Sequence, residues 1–272
     1  TSCLFTCPAS TATTTSSDDD DARHDDGADA DAGPAPDRAA LEQMLRDHKG
    51  VLADIARVTK RSRRQVRRWV ERFGLNADDL VVDIGSNDGT LLRFFRGYGM
   101  RVLGVEPACN IARRATGSGV ETLPDFFTAK LADKIKNERG PAAIITANNM
   151  FANVDDLADM IMGIRELLAP DGVFILETSY LVDVIQNNLL ETIFHEHLSY
   201  FTVKPLEAFF RRSGMELINV ERIPTKGGSL RCIVQLEGGR RTVSPSVAQL
   251  VELETKLGIG RADIFNDVSA KI

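Results

Sequence analysis

The sequence predicts an α/β domain: a parallel sheet wound with helices and closed by an antiparallel hairpin. Three observations carry this expectation. Short apolar runs recur from residue 79 onward: LVVDIG (80–85), RVLGVEP (101–107), AAIITANN (142–149) and GVFILETS (172–179). Each has the length and composition of a fully buried strand. Helical patterns lie between them, and strands separated by helical crossovers pair in parallel. Near the end, MELINVERIPT and SLRCIVQLEGG are joined only by KGG. Two strands so close in sequence can pair only antiparallel.

Taken in order, LVVDIG is the first strand and TLLRFFRGYG the helix after it. RVLGVEP is the second strand, NIARRATGSG the next helix, and VETLPDFF carries a short third strand. AAIITANN is the fourth strand. VDDLADMIMGIRELLAP follows as an amphipathic helix, with Val154, Leu157, Ile161, Ile164 and Leu168 in one stripe. GVFILETS is the fifth strand and KPLEAFFRRSG the helix before the hairpin. A parallel sheet finished by such a hairpin is the order expected of class I methyltransferases, Rossmann-like and dependent on S-adenosylmethionine, rather than of dehydrogenases. Residues 75–240 form this domain. SPSVAQLVELETKLG begins another helix, so residues 241–272 are expected to start a further, truncated C-terminal domain.

Upstream, residues 38–74 read as a helical extension. In TKRSRRQVRRWVERFG, Val66, Trp69, Val70 and Phe73 share one face, while Arg63, Arg64, Arg67, Arg68 and Arg72 cover the rest. This pattern fits a helix packed on the next domain with a solvated basic face; nucleic-acid binding is the weaker reading. Residues 1–37 run from Ser/Thr/Ala-rich to the Asp-rich DDDDARHDDGADAD and bury too little apolar surface to order.

Bulk composition narrows the function. The chain has 272 residues, 43% of them hydrophobic, enough for one substantial core and an appendage. The formal net charge of -6 comes mostly from residues 18–31, so the remainder carries no strong field for nucleic acid or an anionic membrane. The four cysteines are scattered, which points to a reducing, cytoplasmic setting. Cys3 and Cys7 have no second pair to complete a zinc site, and no apolar run approaches the ~20 residues of a membrane helix. The opening TSCLFTCPASTATTTSS has a faint transit-peptide texture, but its lack of arginine argues against one.

The loop after the first strand is the first candidate site. Gly85, Ser86, Asn87, Asp88 and Gly89 turn the chain from strand to helix. A dinucleotide site wants G-x-G-x-x-G with its pyrophosphate on the helix N-terminus. This loop has no G-x-G and puts Asp88 where a phosphate would sit. A carboxylate, Asp83 or Asp88, suits the sulfonium and amino end of S-adenosylmethionine instead. Glu106 ends the second strand and can accept both ribose hydroxyl protons. Asp125 and Phe126, after the third strand, can address the adenine amine and ring. Asn148 and Asn149, after the fourth, can line the methyl-donor pocket. All these loops leave the carboxyl edge of one sheet, where open α/β sheets bind ligands.

The motifs IGSNDGTLL, GVEP, ANNMFANVDDL, LLAPDGVFILE, IFHEHLSYF and KGGSLR, in this order and spacing, resemble the S-adenosylmethionine-dependent sugar C-methyltransferases. Members of that family place a methyl branch on a keto-deoxysugar carried by a nucleoside diphosphate, as in mycarose- and tetronitrose-type sugars. The resemblance runs from about Leu75 to Gly239. It implies that Gly85, Ser86, Asn87 and Asp88 hold the methionine part of the cofactor, that Glu106 holds its ribose, and that Asn149 lies beside the reacting groups. It also implies an acid–base centre at His195, Glu196 and His197. The chain departs from the family pattern at several points. An acidic tail stands where a cysteine-rich zinc module is usual, and little of the second Rossmann-like domain is expected. Ala152-Asn153 replaces the common A-H, and Phe194 replaces the tyrosine of Y-H-E-H. The alternative is a non-catalytic S-adenosylmethionine-binding relative.

Methylating carbon requires a carbanion, and a C–H beside a ketone can be deprotonated if the enolate is stabilised. Neutral His197 suits the base. Glu196 would orient it, or serve as the base if burial raises its pKa. His195 or Asn149 would donate to the enolate oxygen. Asn153 and Tyr180 are candidate substrate contacts. Lys226 and Arg231 flank GGS and either meet a diphosphate or merely border a hairpin turn that needs glycine. On a regular strand His195 and His197 would share one side and Glu196 the other. No metal is expected, because the other histidines, His24 and His48, lie in or near the tail. The expected partner is a small-molecule nucleotide sugar.

Overall fold

The computed structural model describes residues 52–189 and 195–261. The acidic tail 1–37, the helical pattern ahead of Leu52, both Cys3 and Cys7, and Phe194 lie outside the described residues. The chain divides into two compact units, Thr1–Arg64 and Gln65–Ile272. Of the first unit, the described part is the beginning of a helix, α1 (Leu52–Phe73).

The second unit is built on a seven-stranded sheet. Its strands are β1 (Leu80–Ile84), β2 (Arg101–Val105), β3 (Thr122–Leu123), β4 (Ala142–Asn148), β5 (Leu168–Ser179), β6 (Met215–Ile223) and β7 (Ser229–Leu236). They lie in the order β3-β2-β1-β4-β5-β7-β6. β1 pairs in parallel with β2 and β4, and β4 with β5, whereas β7 runs antiparallel to both β5 and β6. This is the class I methyltransferase sheet expected from the sequence. The crossovers are α2 (Thr90–Arg96), α3 (Cys109–Gly117), α4 (Ala129–Arg139) and α5 (Leu157–Leu167). After β5 come α6 (Leu181–Gln186) and α7 (Val203–Arg212), and α8 (Pro245–Lys256) follows the hairpin.

Because side chains alternate along a strand, the sheet has two apolar faces. Val82, Ile84, Ile145, Ala147, Phe174 and Leu176 face one core, with Ile161, Ile164 and Phe210 from helices α5 and α7. Val81, Ile144, Val173, Ile175 and Ile233 face the other, covered by Leu92 and Phe95 of α2 and by Val66, Trp69 and Phe73 of α1. Of the apolar stripe predicted for α1, Val66, Trp69 and Phe73 are therefore buried and Val70 is half-buried. Of its arginines, Arg67 pairs with Glu71 at 2.9 Å in a solvent-exposed ion pair.

Two expectations need correction. The stripe assigned to residues 154–168 belongs to a shorter helix, in which Met160, Ile161, Gly163, Ile164 and Leu167 are buried. Leu168 already opens β5, where it pairs with Ala142. Second, α4 was not anticipated. Its buried face is only Leu131, Ala132 and Ile135, too narrow a stripe to stand out, yet a parallel crossover from β3 to β4 requires an element there.

The hairpin turn needs a glycine of KGG for its own geometry. Gly228 has φ 144, and a Cβ there would come within 2.2 Å of Asp183 Cγ. Glycine is thus required by the buried Asp183, whose carboxylate is gripped by both Nε and Nη2 of Arg222.

The two-faced core yields one expectation. Trp69 is buried and stacked on Phe95 with ring centroids 6.1 Å apart. Trp69→Ala should lower the stability of the domain by about 3–5 kcal/mol, whereas Met162→Ser, on the exposed side of α5, should change it by less than about 0.5 kcal/mol. Denaturant midpoints at constant m-value would measure both.

Candidate active site

The carboxyl edge of the sheet gathers the loops after β1, β2, β3 and β4, as parallel pairing demands. Beyond Ile84 the chain turns sharply: Gly85, Asn87 and Gly89 all have positive φ, at 70°, 49° and 78°. Gly89 cannot be replaced cheaply, since a Cβ would meet Val120 Cγ1 at 2.8 Å. The N–H groups of Gly85 and Ser86 donate to the Val105 carbonyl at 2.8 and 3.2 Å, which ties the turn to the end of β2.

Glu106 holds the same junction from the other side. Its carboxylate accepts the Asn87 N–H at 3.1 Å and the Ala108 N–H at 2.9 Å. A carboxylate has about four acceptor positions, so two bonds leave capacity for further donors. Asp88 turns its Oδ1 to the start of α2, accepting from the N–H and hydroxyl of Thr90 at 3.0 and 2.7 Å.

Asp83, offered beside Asp88 as the carboxylate for the cofactor's charged end, has a distinctive setting in the structure. It is buried at the end of β1, opposite Thr146 of β4, whose hydroxyl donates to it at 2.6 Å. Burial pushes its carboxyl up to about 7; the Thr146 hydrogen bond pulls the other way, and the nearby Glu106 charge adds to the rise.

Ser86 is also buried, and its hydroxyl has no hydrogen-bond partner. Such an orphan costs about 1–3 kcal/mol unless something satisfies it. The residues here therefore fit a polar ligand with a positive charge and hydroxyl donors: an unsatisfied hydroxyl and two carboxylates. They fit a pyrophosphate poorly, because the turn lacks G-x-G and Asp88 stands at the start of α2, where the phosphates would sit.

Asp125 and Phe126 leave β3 at the same edge. Asp125 Oδ1 accepts the Phe126 N–H at 2.8 Å, and the Phe126 ring is 71% exposed, a flat apolar surface of the kind that stacks on a base. Asn148 ends β4 half-buried. Asn149 is exposed with φ 55°, and its N–H donates to the Glu177 carbonyl at 2.7 Å.

The histidine run is docked on this edge through the backbone. The N–H groups of Leu198 and Ser199 both donate to the Ala152 carbonyl, at 2.8 and 3.2 Å. Ala152 lies in the short 3-10 turn Phe151–Asn153 that follows β4. Residues 195–200 form a turn and irregular backbone rather than a strand, so the alternation of sides expected for a strand does not bind His195, Glu196 and His197. His195 and Glu196 are exposed and His197 is half-buried, edge-to-face with Tyr200 at 6.0 Å. Asn153 is exposed on the adjoining turn.

Two candidate substrate contacts are not in the cleft. Tyr180 is fully buried, and its hydroxyl donates to Glu254 at 3.0 Å; both ring and hydroxyl are committed to the core. Arg231 is 14% exposed and lies among charges on the face covered by α1. It reaches Glu177 at 3.0 Å and Gln65 at 3.0 Å, and its guanidinium lies 5.9 Å from the Trp69 ring. Cross-strand register put it there, because Glu177, Arg231 and Glu221 are direct neighbours across β5, β7 and β6. Lys226 remains exposed in the turn, with φ 51°. Sequence reading missed Thr146 and Glu254. The first was legible in principle from the β1–β4 register; the second carried no signal. Among the described residues no group of three or more His, Cys, Asp or Glu side chains could hold a metal ion, and no helix is long and apolar enough to cross a membrane.

Comparison with known proteins agrees with the fold. A family described as "Methyltransferase domain" matches residues 58–220. The C-methyltransferase NovU of Streptomyces niveus is 37% identical over 220 residues, covering 81% of this chain and 52% of the relative. The chain thus spans about half the length of that curated relative. Among solved structures, a chain from the complex of the Haloferax volcanii Trm112 methyltransferase activator with a methyltransferase superposes with TM-score 0.53 at 16% identity, over 75% of this chain and 100% of that one. Magnesium protoporphyrin IX methyltransferase of Synechocystis PCC 6803, solved with bound SAH, gives TM-score 0.52 at 14% identity over 67% and 85%. At these identities the two structures speak for the fold.

Two outcomes are expected from the loop chemistry. Asp83 holds its proton more tightly folded than unfolded, so its contribution to stability is full below the ordinary aspartate range (~pH 4) and is lost as pH rises through about 7. Asp83→Asn should flatten that slope and raise stability at pH 8 by on the order of 1–4 kcal/mol, read from denaturant titrations at pH 5 and pH 8. Gly89→Ala should cost about 1–3 kcal/mol through its left-handed φ and the Val120 overlap, read from the thermal midpoint.

Proposed function

The chain belongs to the methyltransferase-domain family, with its class I fold, and from that premise we propose that it methylates a carbon of a nucleoside-diphosphate-linked keto-deoxysugar with S-adenosylmethionine as the donor. One observation carries the reading furthest: the Ala152 carbonyl holds the histidine run against the loop after β4, on the sheet edge where the glycine turn opens. The 37% identity to a C-methyltransferase over most of this chain supports carbon as the acceptor.

When bound, S-adenosylmethionine supplies an electrophilic methyl group. Gly85, Ser86, Asn87, Asp88 and Gly89 would hold its methionine part together with Asp83. Glu106 would accept from the ribose hydroxyls, Asp125 and Phe126 would bind the adenine, and Asn148 would border the transferred group. On the sugar, His197 removes the proton from the carbon beside the ketone. Glu196, exposed next to it, orients the imidazole rather than acting in its place. His195 or Asn149 donates a hydrogen bond to the oxygen that gains charge as the enolate forms. Asn153, on the turn that carries Ala152, contacts the sugar, and Lys226 reaches toward the diphosphate. Holding both reactants in line supplies as much as ~7–11 kcal/mol of the barrier reduction in well-oriented systems.

The full chain incubated with S-adenosylmethionine and a 4-keto nucleotide sugar should give a product heavier by one methyl group. In D2O without the methyl donor, the carbon beside the ketone should take up deuterium. His197→Ala should slow that uptake by ~10²–10⁴-fold, and Glu196→Gln should slow it too. Uptake at the parental rate in both variants would remove the base assignment; cofactor binding without either uptake or methylation would favour a non-catalytic relative.

A further inference from the structure

Glu254 is a carboxylate of α8 that is only 3% exposed. Its Oε1 accepts the Tyr180 hydroxyl at 3.0 Å and the Val203 N–H at 2.6 Å, and its Oε2 accepts the Lys204 N–H at 3.0 Å. Val203 and Lys204 open α7. The residue at the cap position, Thr202, makes no side-chain capping bond. A carboxylate about 50 residues downstream therefore does what a local side chain usually does, and it brings negative charge to the positive end of the helix.

These three bonds bracket the histidine run. Tyr180 directly follows β5 and bridges to Phe201, and the Leu181 N–H donates to the Phe201 carbonyl at 3.0 Å. Phe201 in turn packs on Phe151, beside Ala152, with ring centroids 5.2 Å apart. The run is thus held at Leu198 and Ser199 by Ala152, at Phe201 by Leu181, and at Val203 and Lys204 by Glu254. The support behind Glu254 is itself fixed. The Ser244 N–H donates to the Ile218 carbonyl at 2.8 Å, Ser246 Oγ accepts the Val220 N–H at 3.2 Å, and Val247 is buried. Through α8 the position of β6 is passed to the exit of the run.

We propose that Glu254 is a positioning residue: it sets the downstream end of the His195–His197 segment relative to the sheet edge, so that the helix after the hairpin is part of the catalytic apparatus. This rests on reading that segment as the acid–base centre. A cap alone would need only a side chain at position 202. The observed arrangement joins the end of β5, the exit of the run and α8 at one carboxylate.

The test uses the full chain and Glu254→Gln, which keeps the size of the side chain and one acceptor oxygen. Amide exchange read residue by residue by NMR should accelerate about tenfold at Leu198 and Ser199 as well as at Val203 and Lys204. Amides of β1 and β4 should keep the parental rates. Turnover should fall about tenfold while the Kd for S-adenosylmethionine stays within about twofold. Acceleration confined to Val203 and Lys204 would reduce Glu254 to a helix cap and overturn the proposal. Equal acceleration throughout β1 and β4 would also overturn it, by showing a general loss of stability. If the parent chain neither methylates nor exchanges the sugar C–H, the functional reading falls, and the exchange rates at Leu198 and Ser199 alone decide whether Glu254 holds the segment.

Discussion

The carbonyl oxygen of Ala152 accepts two N–H groups, from Leu198 and Ser199, and much of the arrangement of the carboxyl edge depends on it. A carbonyl has two lone pairs, and a buried backbone group must find partners. Ala152 is buried in the turn after β4, between Phe151 beneath and Asn153 outside. The chain leaves the sheet at Tyr180 and must return to it at α7. Pairing with this one acceptor decides where it passes, and aromatic contact between Phe151 and Phe201 holds the return in place. Without that pairing the histidines would belong to a surface excursion. With it they stand beside the strand ends from which the other candidate groups emerge.

The same edge concentrates polar groups that the interior could not otherwise accommodate. β1 is buried along its whole length, and Asp83 is its one ionisable residue. The strand tolerates it because Thr146 on the neighbouring strand supplies a hydrogen bond, and burial raises its pKa so that the charge is weakened near neutrality. Glu106 lies one strand over and spends two of its acceptor positions on backbone. Two carboxylates close to a left-handed turn suit a ligand that brings positive charge and hydroxyl groups.

Charges away from the edge are absorbed by structure. Glu177, Arg231 and Glu221 form a cross-strand stripe against Trp69 and Gln65, and Asp183 and Arg222 lock the hairpin turn onto the segment after β5. In both places an arginine is paired with a buried carboxylate, and removal of one partner would leave an uncompensated charge. The helix after the hairpin joins this accounting through Glu254, which satisfies two N–H groups at the start of α7 and the Tyr180 hydroxyl. That helix packs within the same compact unit as the sheet.

The sequence by itself determined the succession of strands along the chain, the closing hairpin and the glycine turn after β1. These depend on local periodicity, on chain distance and on residues that tolerate positive φ, all of which are written in neighbouring positions. α4 escaped because its apolar face is three residues wide, and the end of α5 was misplaced because Leu168 continues the apolar pattern while its backbone has already turned extended. Only the tertiary structure decided which charged and aromatic side chains face the cleft. Tyr180 and Arg231 carry chemistry suited to a substrate, yet they are committed to Glu254 and Glu177, 74 and 54 residues away in sequence. Such partners are chosen by sheet register and helix packing, and no spacing within the chain encodes them.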